Sequence, residues 1–537
     1  MSSLQYAEEL LDKVLILDFG SQYTYLIARR LREIGVYSEL RRFDATLLDF
    51  QAFNPKGVIL SGGPSGVYDE GSPHVRSDVW EYILVENIPV LGVCYGLQEI
   101  MHRFGGDVNA HKQREFGSAI LNLSLSTSTH EPSRLFGKDF PKKQAVWMSH
   151  GDSITSLPEG FGVIATTSSC PFAAVAYPEK NLWGVQFHPE VSHTCDGIII
   201  LKNFTLSICK VQPTWNMKLF ASVEISRIKE KVGENYVVGG LSGGVDSTVA
   251  AMLIHKAIGS KFIGVLIDSG LLRDQEAAEV KERLLRIIPD LKLWVVDASK
   301  SFFGALKGVV DPEKKRKIIG NEFVTHFEKI VAEIGLPLDG STFLLQGTLY
   351  PDIIESTSTK GPSHTIKTHH NVGGLPEKMN LRLIEPFSGL FKDEVRRLGK
   401  ELGIDSASLL RHPFPGPGLG IRIIGDVTEE RVALLQHADR IFLEELHSSG
   451  EYFKIDQAFV VLLSGVYSVG VMGDCRTYEM TAVLRAVTSS DFMTADWHKI
   501  PYHVLEQVSS RIINEVKGIN RVCYDVTSKP PSTIEWE

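Results

Sequence analysis

A chain of 537 residues exceeds what one hydrophobic core supports, and domains cluster at about 100 to 200 residues, so length alone predicts about three of them. Hydrophobic residues make up 43% and charged ones 23%, and a net charge of -9 excludes a general nucleic-acid or anionic-membrane binder, leaving small molecules as the expected partners. The cysteines at 94, 170, 195, 209, 475 and 523 form no C-x-x-C pair and no zinc-type spacing with histidine. There is no charged-then-apolar leader and no bilayer-length apolar run, so the chain is expected to work in the reducing cytosol.

The first two hundred residues alternate between the two periodicities. Strands are predicted at 14–18, 57–61 and 89–94, with a helix over 23–34, which is the pattern of a mainly parallel sheet. Further strands follow at A-V-W-M-S-H (145–150) and across 172–187, the latter turning at Glu179–Asn181, and a helix ends near Cys209. Within this region G-V-C-Y-G places Gly92 and Gly96 around Cys94, as a nucleophile on a sharp strand-to-helix turn requires, and the helix expected from about Leu97 favours the thiolate. Q-F-H-P-E supplies His188 and Glu190 as base and orienter. The S-G-G-P turn at 61–64 offers Gly63 N–H, which with Tyr95 N–H would make an oxyanion hole.

D-F-G-S-Q-Y (18–23), S-G-G-P, G-V-C-Y-G-L-Q and H-P-E together resemble the class I, triad-type glutamine amidotransferases. The resemblance implies that Cys94 attacks the glutamine amide, His188 carries the proton to departing ammonia, Glu190 orients the imidazole, and Gln98 neighbours the bound glutamine.

A second strand–helix series runs through 236–241, 262–268, 293–297 and 343–347, predicting another doubly wound sheet. After its first strand comes S-G-G-V-D-S. Here Ser242, Gly243, Gly244, Val245, Asp246, Ser247 and Thr248 converge backbone N–H groups and hydroxyls on a phosphate at a helix N-terminus, without the lysine of a P-loop. The loop resembles the pyrophosphate-binding motif of the N-type ATP pyrophosphatases, which split ATP between the α and β phosphates. That resemblance implies ATP as co-substrate, Lys392 in L-F-K-D-E-V-R as a phosphate contact, and Mg²⁺ with Asp246 as a ligand; Ser269 in I-D-S-G departs mildly from the D-N-G pattern. The polar stretch 356–374 is expected to be a mobile lid.

R-H-P-F-P-G-P-G-L-G (411–420) cannot sustain helix or central strand and marks a boundary. Beyond it a helix is predicted at 429–447, strands near 458–463, 468–472 and 481–487, a helix at 503–516 and a strand at 521–526. The predicted fold class is therefore α/β, two doubly wound mainly parallel-sheet domains (12–208 and 209–411) followed by a small α+β domain (412–537). K-K-R-K at 314–317 reads by itself as a solvated helix start or an import patch.

D-P-E-K-K-R-K-I-I-G-N, G-T-L-Y-P-D, I-K-T-H-H-N-V-G-G-L, G-V-M-G-D-C-R-T-Y, D-F-M-T-A-D-W and T-S-K-P-P-S-T-I-E-W-E extend the likeness across nearly the whole chain, which resembles the glutamine-hydrolysing GMP synthetases. The resemblance implies adenylation of xanthosine 5'-monophosphate (XMP), displacement of AMP by ammonia, XMP contacts from Arg316, Gln457, Asp474, Lys529 and Glu535, and a homodimer through the third domain. L-L-S-G-V-Y-S-V-G-V (462–471) lacks the proline and basic residue usual before S-V-G-V. An ATP-dependent amidation of another acceptor, and a nucleotide-sensing protein with residual loops, remain the alternatives.

Overall fold

The computed structural model describes residues 12–124, 133–138, 140–337, 339–357, 381–472, 474–489, 492 and 494–537. Contacts divide the chain into two compact units, one up to Val223 and one from Glu224. The expected lid over 356–374 falls, from residue 358, outside the described residues, as does I-K-T-H-H-N-V-G-G-L.

The first unit holds β1 (Lys13–Asp18), β2 (Tyr37–Arg42), β3 (Gly57–Leu60), β4 (Val90–Val93), β5 (Asp107–Leu123), β6 (Lys143–Ser156), β7 (Gly162–Thr166), β8 (Ala174–Tyr177) and β9 (Leu182–Val185). They form one sheet in the order β2-β1-β3-β4-β9-β8-β7-β5-β6. The five strands from β2 to β9 are parallel, and the rest extend the sheet antiparallel. β3, β4 and β9 are buried along their whole length, which explains their unbroken apolar sequences G-V-I-L, V-L-G-V and L-W-G-V. The helix Thr24–Glu33 buries Ile27, Ala28 and Leu31. The turn expected at Glu179–Asn181 joins β8 to β9, with Asn181 in the left-handed region.

The second unit begins with β10 (Val237–Gly240), β11 (Phe262–Asp268), β12 (Lys292–Asp297), β13 (Phe343–Leu345) and β14 (Arg382–Ile384), all parallel in the order β12-β11-β10-β13-β14. The chain grows outward from β10 in both directions, so a topological switch point lies between β10 and β13, where α/β sheets bind ligands at the carboxyl ends of their strands.

A further sheet in the same unit contains β15 (Ile423–Ile424), β16 (Gln457–Met472), β17 (Cys475–Thr488), β18 (Asp496–Trp497) and β19 (Ile519–Tyr524). The two strands predicted at 458–463 and 468–472 are one long strand, β16, whose register on β17 shifts between Leu463 and Tyr467. The extra residues of that bulge interrupt the alternation that marks a strand in the sequence. The helices Glu429–Ser448 and Tyr502–Glu515 cover this sheet. Their core is continuous with Leu271, Phe302, Leu306 and Ile319 of the preceding segment. Residue 411 thus lies between two sheets: the first keeps a core around Val238, Ile263, Val265 and Leu344, while residues of its helices and loops complete the core of the second.

Candidate active site

Cys94 sits at φ 53, ψ −106 between β4 and the helix Tyr95–Phe104, 5% exposed. A Cβ on Gly96 would lie 2.2 Å from Leu60 O, and one on Gly92 2.5 Å from Gly96 O, so both glycines are dictated by backbone approaching backbone. The helix starts at Tyr95, two residues earlier than expected, which brings its positive end directly under the sulfur. Cys94 Sγ is 3.7 Å from Ser149 O and 3.7 Å from Gln186 Nε2.

Gln186 to Glu190 follow β9 and are fixed from several sides. His188 N–H donates to Trp147 O at 3.0 Å, Thr194 Oγ1 donates to His188 O at 2.7 Å, and Arg30 Nε donates to Glu190 O at 3.2 Å. His188 Nδ1 meets Glu190 Oε1 at 2.7 Å, Tyr23 lies edge-on to the ring at 5.4 Å, and Cys94 is a near neighbour of the imidazole. Burial alone would lower the His188 pKa; the Glu190 carboxylate, hydrogen-bonded to the ring, and the neighbouring Cys94 outweigh it and raise it well above 6.5. Glu190 thereby favours the protonated form of the ring beside Cys94.

The S-G-G-P turn lies against the same group. A Cβ on Gly62 would be 3.1 Å from His188 Cε1, and one on Gly63 2.8 Å from Phe19 O and 3.3 Å from Tyr95 Cγ. Neither Gly63 N–H nor Tyr95 N–H donates to a backbone acceptor among the described residues. Gln98 is 3% exposed, and its Nε2 donates to Asp152 O at 3.0 Å, so it holds the middle of β6, where Ser149 reaches the sulfur, in place. Gln186 and Ser149 touch the sulfur without having been singled out in the sequence. Gln186 stands inside the motif Q-F-H-P-E, whereas Ser149 contributes a carbonyl that no sequence signal marks.

In the second unit the loop after β10 leads into the helix Val245–Ile258. Gly243 has φ +74, and a Cβ there would lie 2.3 Å from Val280 Cγ2; Arg283 Nη2 donates to its carbonyl at 2.8 Å. Ser242 Oγ accepts from Gly244 N–H at 3.3 Å, and the Ser247 and Thr248 hydroxyls donate to Gly244 O at 3.0 and 2.9 Å. Gly240 to Ser247 line a cavity of about 670 Å³ together with Gln346, Arg316, Lys392, Arg396 and Arg411. Lys392 Nζ is 3.7 Å from Asp246 Oδ2, and Asp246 Oδ1 is buried with no hydrogen-bond partner. Arg396 and Arg411 were not singled out from the sequence, because an isolated arginine carries no motif. Ser269 is 2% exposed and spends its hydroxyl on Leu271 N–H at 3.2 Å.

Of the five residues assigned to XMP, Gln457 and Glu535 are bonded to each other, Nε2 to Oε1 at 2.7 Å, and Glu535 is bidentate to the fully buried Arg422. Arg316 lines the cavity and donates to Glu537 O; Lys529 Nζ donates to Phe492 O at 2.8 Å. Asp474 is not brought to this group. It is exposed, with φ 63, at the far tip of the β16–β17 hairpin, while Gln457 opens β16 at the base. The hairpin between them is paired over twelve steps of β17, from Val487 opposite Gln457 to Cys475, which puts the two on the order of 40 Å apart within one chain at 3.3 Å per residue. Lys315, in the middle of the basic run, is 0% exposed and reaches Ile423 O at 2.6 Å and Glu537 Oε2, while Lys314 and Lys317 are exposed. The run is split by helix periodicity: it is neither wholly solvated nor a continuous basic patch.

A nucleophile elbow with its histidine–carboxylate pair, and a serine–glycine loop at the switch point of a second sheet, define the class: a glutamine amidotransferase joined to an ATP-pyrophosphatase-type nucleotide fold. Residues 15–208 match the family model for glutamine amidotransferase class-I, 221–301 that for NAD synthase, and 444–536 that for the GMP synthase C terminal domain. The chain is 53% identical over 525 residues to the glutamine-hydrolysing GMP synthase of Thermosipho melanesiensis, covering 98% of this chain and 99% of that one. It is 51% identical over 540 residues to that of Candida glabrata, covering 100% of each. A solved structure of a glutamine amidotransferase from Thermotoga maritima is 22% identical, covering 41% of this chain and 92% of that one, with a TM-score of 0.27. The chain belongs to the glutamine-hydrolysing GMP synthase family.

Proposed function

We propose that the chain makes GMP from XMP in two coupled half-reactions, and the observation that carries this is Cys94, on its elbow, beside a buried His188 whose Nδ1 is held by Glu190 at 2.7 Å. The Cys94 thiolate adds to the side-chain carbonyl of glutamine, and the oxyanion is received by the N–H groups of Gly63 and Tyr95. His188 gives its proton to the leaving ammonia, Glu190 keeps the ring aligned, and water then releases glutamate from the thioester. Gln98 shapes the glutamine pocket through its bond to Asp152 of β6.

In the second unit, Ser242, Gly243, Gly244, Val245, Asp246, Ser247 and Thr248 hold the pyrophosphate of ATP with Lys392. The XMP C2 oxygen attacks the α-phosphorus, pyrophosphate leaves, and ammonia displaces AMP to give GMP. The donor set fits Mg²⁺: the buried, unpartnered Asp246 Oδ1 is a hard oxygen ligand beside the phosphate loop. Bound there with ATP, Mg²⁺ supplies charge neutralisation for the leaving pyrophosphate. Arg316, Gln457, Lys529 and Glu535 are read as XMP contacts; Asp474 stands apart from them within one chain. Three functional segments are read as 12–208, 209–411 and 412–537, the last supporting a homodimer. No helix among the described residues is long and apolar enough to cross a membrane, and a cytosolic enzyme is the reading adopted.

The test is a mass-spectrometric product analysis with XMP, Mg-ATP and amide-labelled glutamine. Labelled GMP with AMP and pyrophosphate is expected; ADP, or no GMP, overturns the reading. Cys94→Ala is expected to abolish glutamine-dependent synthesis and to retain synthesis from added ammonium.

A further inference from the structure

Glu99 lies on the helix Tyr95–Phe104, its side chain 2% exposed at the edge of the first unit's apolar core. No lysine or arginine among the described residues is paired with it. Its oxygens receive Val75 N–H at 3.1 Å, Trp80 Nε1–H at a stretched 3.5 Å, and Nδ1 of His74 at 2.7 Å. A carboxylate this deep is costly without a cation, and buried charges are paired or bind metals. Three residues further along the helix, His102 lies on the same face, and its ring stacks on His74 at 4.9 Å and 24°. Ligand atoms of His74, Glu99 and His102 all lie within 4.8 Å of one another.

We propose that His74, Glu99 and His102 bind a divalent cation of the zinc class, tying the helix that follows Cys94 to the segment that follows the S-G-G-P turn. Two imidazoles and one carboxylate suit zinc and its neighbours in the first transition row, whereas magnesium and calcium prefer oxygen-only sets. Three protein ligands leave the fourth tetrahedral position to water. With ligand bonds of about 2.0 to 2.2 Å the donor atoms stand roughly 3.3 Å apart, so the His74–Glu99 hydrogen bond opens slightly as the cation replaces its proton, which passes to solvent. The Glu99 backbone is fixed within its helix, whereas the His74 side chain is 38% exposed and His102 is exposed, so the two histidines adjust and the cation has a way in.

The experiment uses the full chain, stripped with a chelator and titrated with Co²⁺ as a coloured zinc substitute, read by its visible ligand-field absorption. One equivalent is expected to bind at this site, without the near-ultraviolet thiolate charge-transfer band that a cysteine ligand gives. His102→Ala and His74→Ala, checked for unchanged circular dichroism, are each expected to weaken binding by at least ~10-fold, the loss that even an outer-shell change brings. Equal binding by the double variant, no binding at all, or a thiolate band placing the ion on the Glu115–His150–Cys170 group would each overturn the proposal.

Discussion

At the scale of single residues the first reaction turns on the charge state of His188. Burial opposes the imidazolium and Glu190 restores it, so the ring's folded pKa lies above 6.5 chiefly because of one carboxylate 2.7 Å away. In the mechanism proposed above, a raised pKa keeps the acid form that would protonate leaving ammonia available as pH rises, and activity is expected to be lost only above that pKa. In Glu190→Gln the amide keeps a hydrogen bond but removes the charge, leaving burial unopposed except by Cys94. The alkaline limb of glutamine-dependent synthesis is therefore expected to move to lower pH, with the ammonia-dependent rate unchanged; a limb that stays in place would exclude this role for Glu190. Cys94, His188 and Glu190 were legible because each stands beside glycine or proline punctuation that fixes its geometry locally. Arg422 and Lys315 were not, since their burial is created by partners more than one hundred residues away.

At the scale of elements, the loop between β10 and its helix shows how a backbone requirement becomes chemistry. Gly243 adopts φ +74 against Val280, turning the chain so that the residues after it, Gly244 to Ser247, line the cavity. Gly243→Ala meets both the strained φ and a 2.3 Å contact with Val280 Cγ2, and is expected to cost about 1–3 kcal/mol in stability. Synthesis from glutamine and from ammonium should fall together, with a raised KM for ATP, and covalent trapping of Cys94 by a glutamine-like electrophile should continue; loss of trapping would mean that the substitution disturbs more than this loop. The two doubly wound sheets were legible in the sequence because buried parallel strands are short unbroken apolar runs bounded by glycine. The long β16 was misread as two strands, because the bulge at 464–466 places a buried Ser464 and then exposed Gly465 and Val466 where alternation should continue. The separation of Asp474 from Gln457 was illegible for the same reason, since hairpin length is a property of pairing.

At the scale of the whole molecule, each unit is held by contacts that the linear order conceals. His412 opens the proline–glycine segment, donates from Nε2–H to Tyr452 O at 3.0 Å and stacks on the Tyr452 ring at 3.8 Å. Its Nδ1 is buried without a partner. Burial first, and the charge of Arg273 in addition, push its pKa down from 6.5 to about 4. Between those values the unfolded chain binds the proton and the folded chain does not, so this contribution is complete above pH 6.5 and is lost as pH falls towards 4, to the extent of about 3 kcal/mol. The denaturation midpoint of the second unit is expected to fall over that window in the native chain and to fall less in His412→Gln; equal slopes would assign the acid lability elsewhere.

The tail gives the second whole-molecule case. Lys315, on the helix Pro312–Ile334, binds Ile423 O and Glu537 Oε2 while its neighbour Arg316 lines the nucleotide cavity. Burial raises the Glu537 pKa and the two basic side chains oppose it, so the carboxylate depends on them for its charge. Removing one member of a buried pair leaves the other uncompensated, at about 3–5 kcal/mol. Lys315→Met keeps the length and burial of the side chain but not its charge. It is expected to destabilise the second unit by up to that amount and to release the segment carrying Glu535. KM for XMP should then rise in both the glutamine- and the ammonium-driven assays, with KM for glutamine unchanged. If KM for XMP is unaltered in a variant of lowered stability, Lys315 serves only the core, and the tail's position is set by Arg422 and Glu535 alone.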